Sequence, residues 1–443
     1  MDARDRTILR LAVPALATLA IEPLYVLVDT AIVGHLGRTP LGGVALAATA
    51  LNTIFFVVTV LEYGITARVA FHLGGGRPRQ AAGVMVQGLW LSVAIGVALA
   101  TIVAAGARPI ATALGGRGHP DVLDAAVTYL RISAVGAPLL LVGLVGIGYL
   151  RGIQDTRTPL WIALGANVVN VVLEITFVYG LDLGVAGSAW STVIAQAVAA
   201  AWYLVVLAGH AGANEAPTRP DRAELKRLVR SGGHLSIRTG ALLGTLAVFT
   251  AVAARIDDAT LGGHQIALQI ETFLALVVDG LAIAAQALVG TALGAHDVAE
   301  ARAVGRRLLR WGALMGVVLA IVLALAAPAL PAVFTGDGVV RDRATTGLLF
   351  VALLQVPASF VFVLDGVLLG AGDDAFQGWS NVAALVAALP VAAAVLASPS
   401  LGIAGVWIGM NVWMVARLVA NAGRFTTEGW TRNLECLHRP NPI

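Results

Sequence analysis

Gly209-His210-Ala211-Gly212-Ala213-Asn214-Glu215-Ala216-Pro217-Thr218-Arg219-Pro220-Asp221-Arg222-Ala223-Glu224-Leu225-Lys226 is the longest polar break in a chain of 443 residues that is 58% hydrophobic and 12% charged. With a mean hydropathy of +0.84, the sequence on either side carries more apolar side chain than a soluble fold can hide. A helical span takes about 20 apolar residues. Marking apolar runs outward from the break gives six segments before it, at 8–35, 44–73, 83–107, 124–151, 159–180 and 184–208. Six follow it, at 228–256, 264–293, 305–334, 344–371, 376–397 and 402–423. The expected fold is an all-α integral membrane protein of twelve transmembrane helices. Residues 1–212 would form an amino-terminal six-helix lobe, 213–225 a cytoplasmic linker, 226–424 a carboxy-terminal six-helix lobe and 425–443 a cytoplasmic tail.

Arg and Lys at or near segment ends number twenty on the side of the termini, the last group beginning at Arg417, and six on the other side. By the positive-inside rule both termini are expected in the cytoplasm, in a multi-pass protein of the cytoplasmic membrane. Glu22, Pro23 and Asp29 interrupt the first segment, so it reads as a retained helix and not a cleaved signal. The single cysteine, Cys436, excludes an internal disulfide, and 6% aromatics leave little for the girdles of an outer-membrane barrel. The only lysine, Lys226, follows no glycine-rich phosphate loop, which excludes an ATP-driven pump of the P-loop type. Eight scattered histidines make no metal-ligand cluster, so no metal or organic cofactor is expected. The basic residues are not interleaved with aromatics, and no nucleic-acid partner is expected. The expected partners are the lipid bilayer and small organic substrates, with no obligate protein partner, and the chain is not expected to be an enzyme.

The halves repeat. A shift of 220 residues lays Leu41-Gly42-Gly43-Val44-Ala45 on Leu261-Gly262-Gly263-His264-Gln265, and Leu73-Gly74-Gly75-Gly76 on Leu293-Gly294-Ala295-His296. A shift of 219 lays Pro138 on Pro357 and Gln154-Asp155 on Asp373-Asp374. Six helices per half give both repeats the same topology, related by an axis along the membrane normal, which is transporter architecture.

Leu27-Val28-Asp29-Thr30-Ala31-Ile32-Val33-Gly34-His35-Leu36-Gly37 closely resembles the first-helix signature of the multidrug and toxic-compound extrusion (MATE) family, in its DinF-like branch. Val278-Asp279-Gly280-Leu281-Ala282-Ile283-Ala284-Ala285-Gln286-Ala287-Leu288-Val289-Gly290, Ile237-Arg238-Thr239 and Leu364-Asp365-Gly366-Val367-Leu368-Leu369-Gly370-Ala371-Gly372-Asp373 resemble further signatures of that branch. The resemblance covers nearly the whole chain. It implies two six-helix lobes forming a V, and export coupled to entry of protons or sodium.

Ionisable groups inside a span are costly and need a partner, a wet cavity or a role. Glu22 and Asp29 lie seven apart on one face of the first helix, with Pro14 and Pro23 beside them. Asn167, Asn170 and Glu174 form a stripe on the fifth. In the family an Asn-x-x-x-Asp pattern here belongs to the cavity that holds the coupling proton or ion. Asn170 and Glu174 match it with Glu in place of Asp, and Thr192 matches a hydroxyl of the same cavity. Gly146 to Tyr149 lacks an amide that many members carry, which speaks against a ready-made sodium cage. In the second half Gln265, Gln269, Thr272, Asp279 and Gln286 share one face of the eighth helix, and Glu271 reads as a lone carboxylate near the outer surface. Arg238 either pairs with Asp365 or Asp279 or contacts substrate; the sequence leaves both readings open. Glu62 and Arg68 differ by six and do not share a face.

The leading expectation is an antiporter exporting amphipathic, often cationic, organic compounds against protons or sodium. A lipid-linked precursor flippase of the wider superfamily is the alternative, and it would need a basic cavity. Glu22, Asp29, Glu174, Asp279 and Asp365 outnumber Arg131 and Arg238 inside the helices, which favours the antiporter.

Overall fold

Apolar runs become helices in a bilayer because every backbone N–H and C=O then finds its partner within the segment. The computed structural model describes residues 3–115 and 120–432, apart from the side chains of Ala3, Glu22, Leu27, Phe55, Phe56 and Val57. Among the described residues there is no strand. The helices are α1 (Ala3–Gly34), α2 (Arg38–Val58), α3 (Val60–Gly74), α4 (Pro78–Ala113), α5 (Pro120–Ala134), α6 (Ala137–Gly152) and α7 (Arg157–Ile175). They continue as α8 (Gly184–Ala213), α9 (Arg222–Ala254), α10 (Asp258–Gly294), α11 (Val298–Ala326), α12 (Gly338–Gly370), α13 (Asp374–Ala397) and α14 (Gly402–Thr426). Ten helical stretches among the described residues are long and apolar enough to cross a membrane, and α5 and α6, bent by 51° to each other, meet the same criterion only when taken together.

Several expected segments are subdivided. The fourth is the bent pair α5–α6, with Pro138, which has no N–H to continue a helix, in the first turn of α6. An ideal Cβ on Gly96 of α4 would stand 2.4 Å from the Pro138 Cα, so glycine there admits the kink. Its counterpart Pro357 stays inside the unbroken α12. The second expected segment is divided at Thr59 into α2 and α3, the fifth closes with a π-helical turn at Thr176–Gly180, and the ninth ends at Ala326 before a 3-10 turn at Leu330–Val333.

The chain forms two compact units, 17–229 and 1–16 with 230–443. In the first, α2 packs on α5, α3 on α6, α4 on both α5 and α6, and α7 on α8. Leu61, Ile65, Leu141 and Tyr203 centre one core, and Val33, Val44 and Leu130 another. In the second, α12 is the hub for α10, α11 and α14, over a core including Phe249, Leu348 and Trp407. The repeated Leu-Gly-Gly now has a cause. An ideal Cβ on Gly43 would lie 2.5 Å from Ala125 Cβ, and one on Gly263 would lie 2.7 Å from Arg343 Cβ, so each half builds the same close helix crossing.

The unit boundaries fall inside α1 and α9, and each helix start is fastened. Asp5 accepts from Arg307 Nε at 2.7 Å and Trp311 Nε1 at 2.9 Å. Glu224 accepts from Arg68 Nη1 at 2.9 Å. The connector between α8 and α9 covers only 214–221, and it is strapped to α4. Gln87 donates to Arg219 O at 2.9 Å and accepts from Asp221 N at 2.8 Å, while Trp90 donates to Thr218 O at 3.0 Å. Of the expected tail, Trp430 is buried and stacks on Phe425; residues 433–443, with Cys436, lie outside the described residues.

Candidate functional site

Three helices of the first unit bring polar side chains together. α1 supplies Tyr25 and Asp29, one turn apart; α7 supplies Asn170 and Glu174; α8 supplies Ser188 and Thr192. Thr192 Oγ1 lies 2.9 Å from the Tyr25 hydroxyl, accepts from Asn170 Nδ2 at 3.3 Å, and donates to Ser188 O at 3.1 Å. Ser188 Oγ donates to Asp29 Oδ1 at 3.1 Å. Glu174 is wholly buried and Asp29 nearly so, and the two carboxyls are within electrostatic reach of each other and of Tyr129 on α5. Glu174 Oε1 and Oε2 and Asn170 Oδ1 meet no hydrogen-bond partner among the described residues. Tyr179, carried by the π-helical turn after Glu174, donates to Ile32 O at 2.7 Å and so ties the end of α1 to this bundle.

The expected residues divide as follows. Asp29, Asn170, Glu174 and Thr192 meet. Asn167 is partly buried and turns back to donate to Ala163 O at 2.8 Å, outside the cluster. The Glu22 side chain lies outside the described residues. Tyr25 and Ser188 were missed, although each sits four residues before a residue the sequence had singled out, on the same helix face.

The second unit treats its buried acid differently. Asp365 Oδ2 accepts from Arg238 Nη2 and from Arg417 Nη2, both at 2.7 Å, and Oδ1 accepts from Asn421 Nδ2 at 2.6 Å. Arg417 therefore is not a cytoplasmic-side anchor; it is buried, with its guanidinium 4.8 Å from the Trp413 ring centre. Glu271 is not a lone carboxylate, since it lies within electrostatic reach of Arg417. Along α10, Gln286 is buried and Asp279 partly so, while Gln265, Gln269 and Thr272 are exposed, so the expected stripe is polar surface at one end and core at the other. Glu62 is paired with Arg151 of α6 and Arg68 with Glu224, which gives both α3 charges partners from other helices.

Duplicated helical halves with buried carboxylates in each define the class, a polytopic membrane transporter built on an internal repeat. The MatE family model matches residues 14–176 and 242–394, one stretch in each half. The chain belongs to the MATE family of transporters, in its DinF-like branch. It is 33% identical over 433 residues to Protein DETOXIFICATION 44, chloroplastic, of Arabidopsis thaliana, covering 95% of this chain and 82% of that protein. It is 30% identical over 424 residues to DNA damage-inducible protein F of Escherichia coli K12, covering 94% and 91%. A crystal structure of a MATE protein in a bent conformation superposes with a TM-score of 0.88 at 22% identity, covering 98% of this chain and 96% of the other, which establishes the shared fold.

Proposed function

We propose that this transporter exports amphipathic, often cationic, organic compounds from the cytoplasm in exchange for protons, across the cytoplasmic membrane and with both termini cytoplasmic. The observation that carries the coupling is Glu174. Its carboxyl is fully buried, meets no hydrogen-bond donor among the described residues, and neighbours a second carboxyl, Asp29. Two ionised carboxylates are both acceptors and repel; one proton between them turns the pair into donor and acceptor. Taking up that proton from outside and releasing it inside converts the gradient into a change of contacts around α1. A membrane potential of about 100 mV supplies about 2.3 kcal/mol per proton. Loss of the charge weakens the hold of Ser188 on Asp29, and Tyr25 and Tyr179 give α1 two further contacts through which a bend is transmitted. No cofactor is required beyond the coupling ion.

Sodium is the second reading, favoured by the third unpartnered oxygen, Asn170 Oδ1, beside Asp29 and Glu174. The absence of an amide between Gly146 and Tyr149 argues for the proton. A flippase binding pyrophosphate would want free buried cations, whereas Arg238 and Arg417 are both spent on Asp365. Everted vesicles given a cationic dye in the medium test the reading: dye accumulation should collapse when a protonophore dissipates the pH gradient and persist when sodium is equilibrated. Accumulation that follows sodium and ignores the protonophore would overturn it.

A further inference from the structure

α7 and α8 leave a groove of about 630 Å³ on the outer face of the first unit, lined by Thr158, Trp161, Leu164, Gly165, Val168 and Trp202. The indoles are 63% and 43% exposed, so on these membrane-crossing helices both rings face the lipid. Gly165 is what opens the groove: an ideal Cβ there would lie 2.9 Å from Trp202, so only glycine lets the ring lean across α7. From Thr158 to Val168 the helix rises about 15 Å, which is the depth of one hydrocarbon leaflet. With the span expected to begin at residue 159, the mouth falls at the interface and the floor near the middle of the membrane.

A cation precedes the first lining residue, Thr158. Arg157 begins α7 and lies four residues before Trp161, on the same helix face as Gly165 and Val168. Its guanidinium is exposed and forms no ion pair among the described residues. The neighbouring acid does not neutralise it by pairing. Asp155 caps the helix, its Oδ1 accepting the backbone N–H groups of Arg157 and Thr158, each at 3.0 Å, and its Oδ2 accepting the Thr158 hydroxyl.

We infer that this groove is a binding site for an anionic phospholipid, with one acyl chain along α7 between Trp161 and Trp202 and the phosphate at Arg157. A free guanidinium, an indole at the interface and an apolar channel one leaflet deep are complementary in order to headgroup, glycerol level and chain. The end of α7 that bears Arg157 is the end expected in the cytoplasmic leaflet, where anionic lipid attracts basic side chains.

The test uses the full chain in phosphatidylcholine vesicles titrated with phosphatidylglycerol brominated on its acyl chains, read as quenching of tryptophan fluorescence. Quenching should rise at lower mole fraction with brominated phosphatidylglycerol than with brominated phosphatidylcholine. That excess should disappear in a Trp161→Phe, Trp202→Phe double variant, and in Arg157→Gln its midpoint should move to about fivefold more lipid. Arg157 is exposed, so its variant is expected to fold. Equal quenching by the two lipids, an unmoved midpoint in Arg157→Gln, or an excess that survives loss of both indoles would each overturn the proposal.

Discussion

Asp29 with Glu174 in one unit, and Asp365 in the other, pose the same problem of a carboxylate out of reach of water. They answer it in opposite ways. Asp365 receives two guanidiniums and an amide, so both of its oxygens are saturated by fixed donors. Asp29 receives one serine hydroxyl, and Glu174 receives nothing among the described residues. A saturated acid is a fastener, because losing either partner strands buried charge. An acid short of donors is a place where a proton can come and go. That difference is the ground on which we propose a structural role for the second unit's acid and a coupling role for the first unit's pair.

The largest effect should come from Asp29→Asn, a neutral isostere. Membrane abundance should match wild type while dye export falls to the background of empty vesicles, and full export by that variant would break the contrast. Next comes Asp365→Asn, which leaves two buried guanidiniums facing one neutral amide. A stability loss of about 3–5 kcal/mol is expected, read as reduced yield and a lower melting temperature in detergent. Arg238→Met should cost less, because Arg417 still holds Asp365. For the same reason an Arg238→Met, Asp365→Asn double variant should not recover, since Arg417 then loses its hydrogen-bonded carboxylate and keeps only the longer-range attraction of Glu271; recovery would mean that Arg417 does not depend on Asp365.

Smaller effects sharpen the comparison with acids outside the spans. Asp257 caps α10, and the Thr260 backbone N–H that it accepts at 2.6 Å holds its carboxyl below the usual range. Its stabilisation should be present above the ordinary carboxylate range and vanish as pH falls through the lowered value. Asp257→Ala should therefore lower stability at pH 7 by on the order of 1 kcal/mol or less, read as a lower melting temperature, and make no difference once the wild-type carboxyl is protonated. The smallest effect is expected from Glu300→Gln. Its pair with Arg4 is 2.7 Å long but exposed on both sides, so thermal stability should move by less than about 0.5 kcal/mol.

Which features were readable in the sequence follows from the range of the interactions. Apolar runs and helical spacing are local, so the membrane class, the duplicated halves and the Asn170–Glu174 stripe were all legible. Pairing across helices is not local. Glu62 and Arg151 stand 89 residues apart, and nothing on either segment names the other. Arg417 was misread because charge at the end of an apolar run normally marks the membrane edge, yet Asn421 four residues later on the same face was a sign of a buried polar stripe. The 51° bend between α5 and α6 was hidden for another reason: Pro138 and Pro357 look alike in sequence, and only the helices packed around them decide that one breaks and the other does not.

The account rests on proton exchange at Asp29 and Glu174. The most direct measurement is substrate-induced proton release from purified protein in weakly buffered detergent solution, followed with a pH dye across wild type, Asp29→Asn, Glu174→Gln and Asp365→Asn. Wild type should release protons when a cationic substrate is added, and whatever Asp365→Asn protein remains folded should do the same. Asp29→Asn and Glu174→Gln should release none. Undiminished release from both of those variants, or its loss only in folded Asp365→Asn, would contradict the assignment.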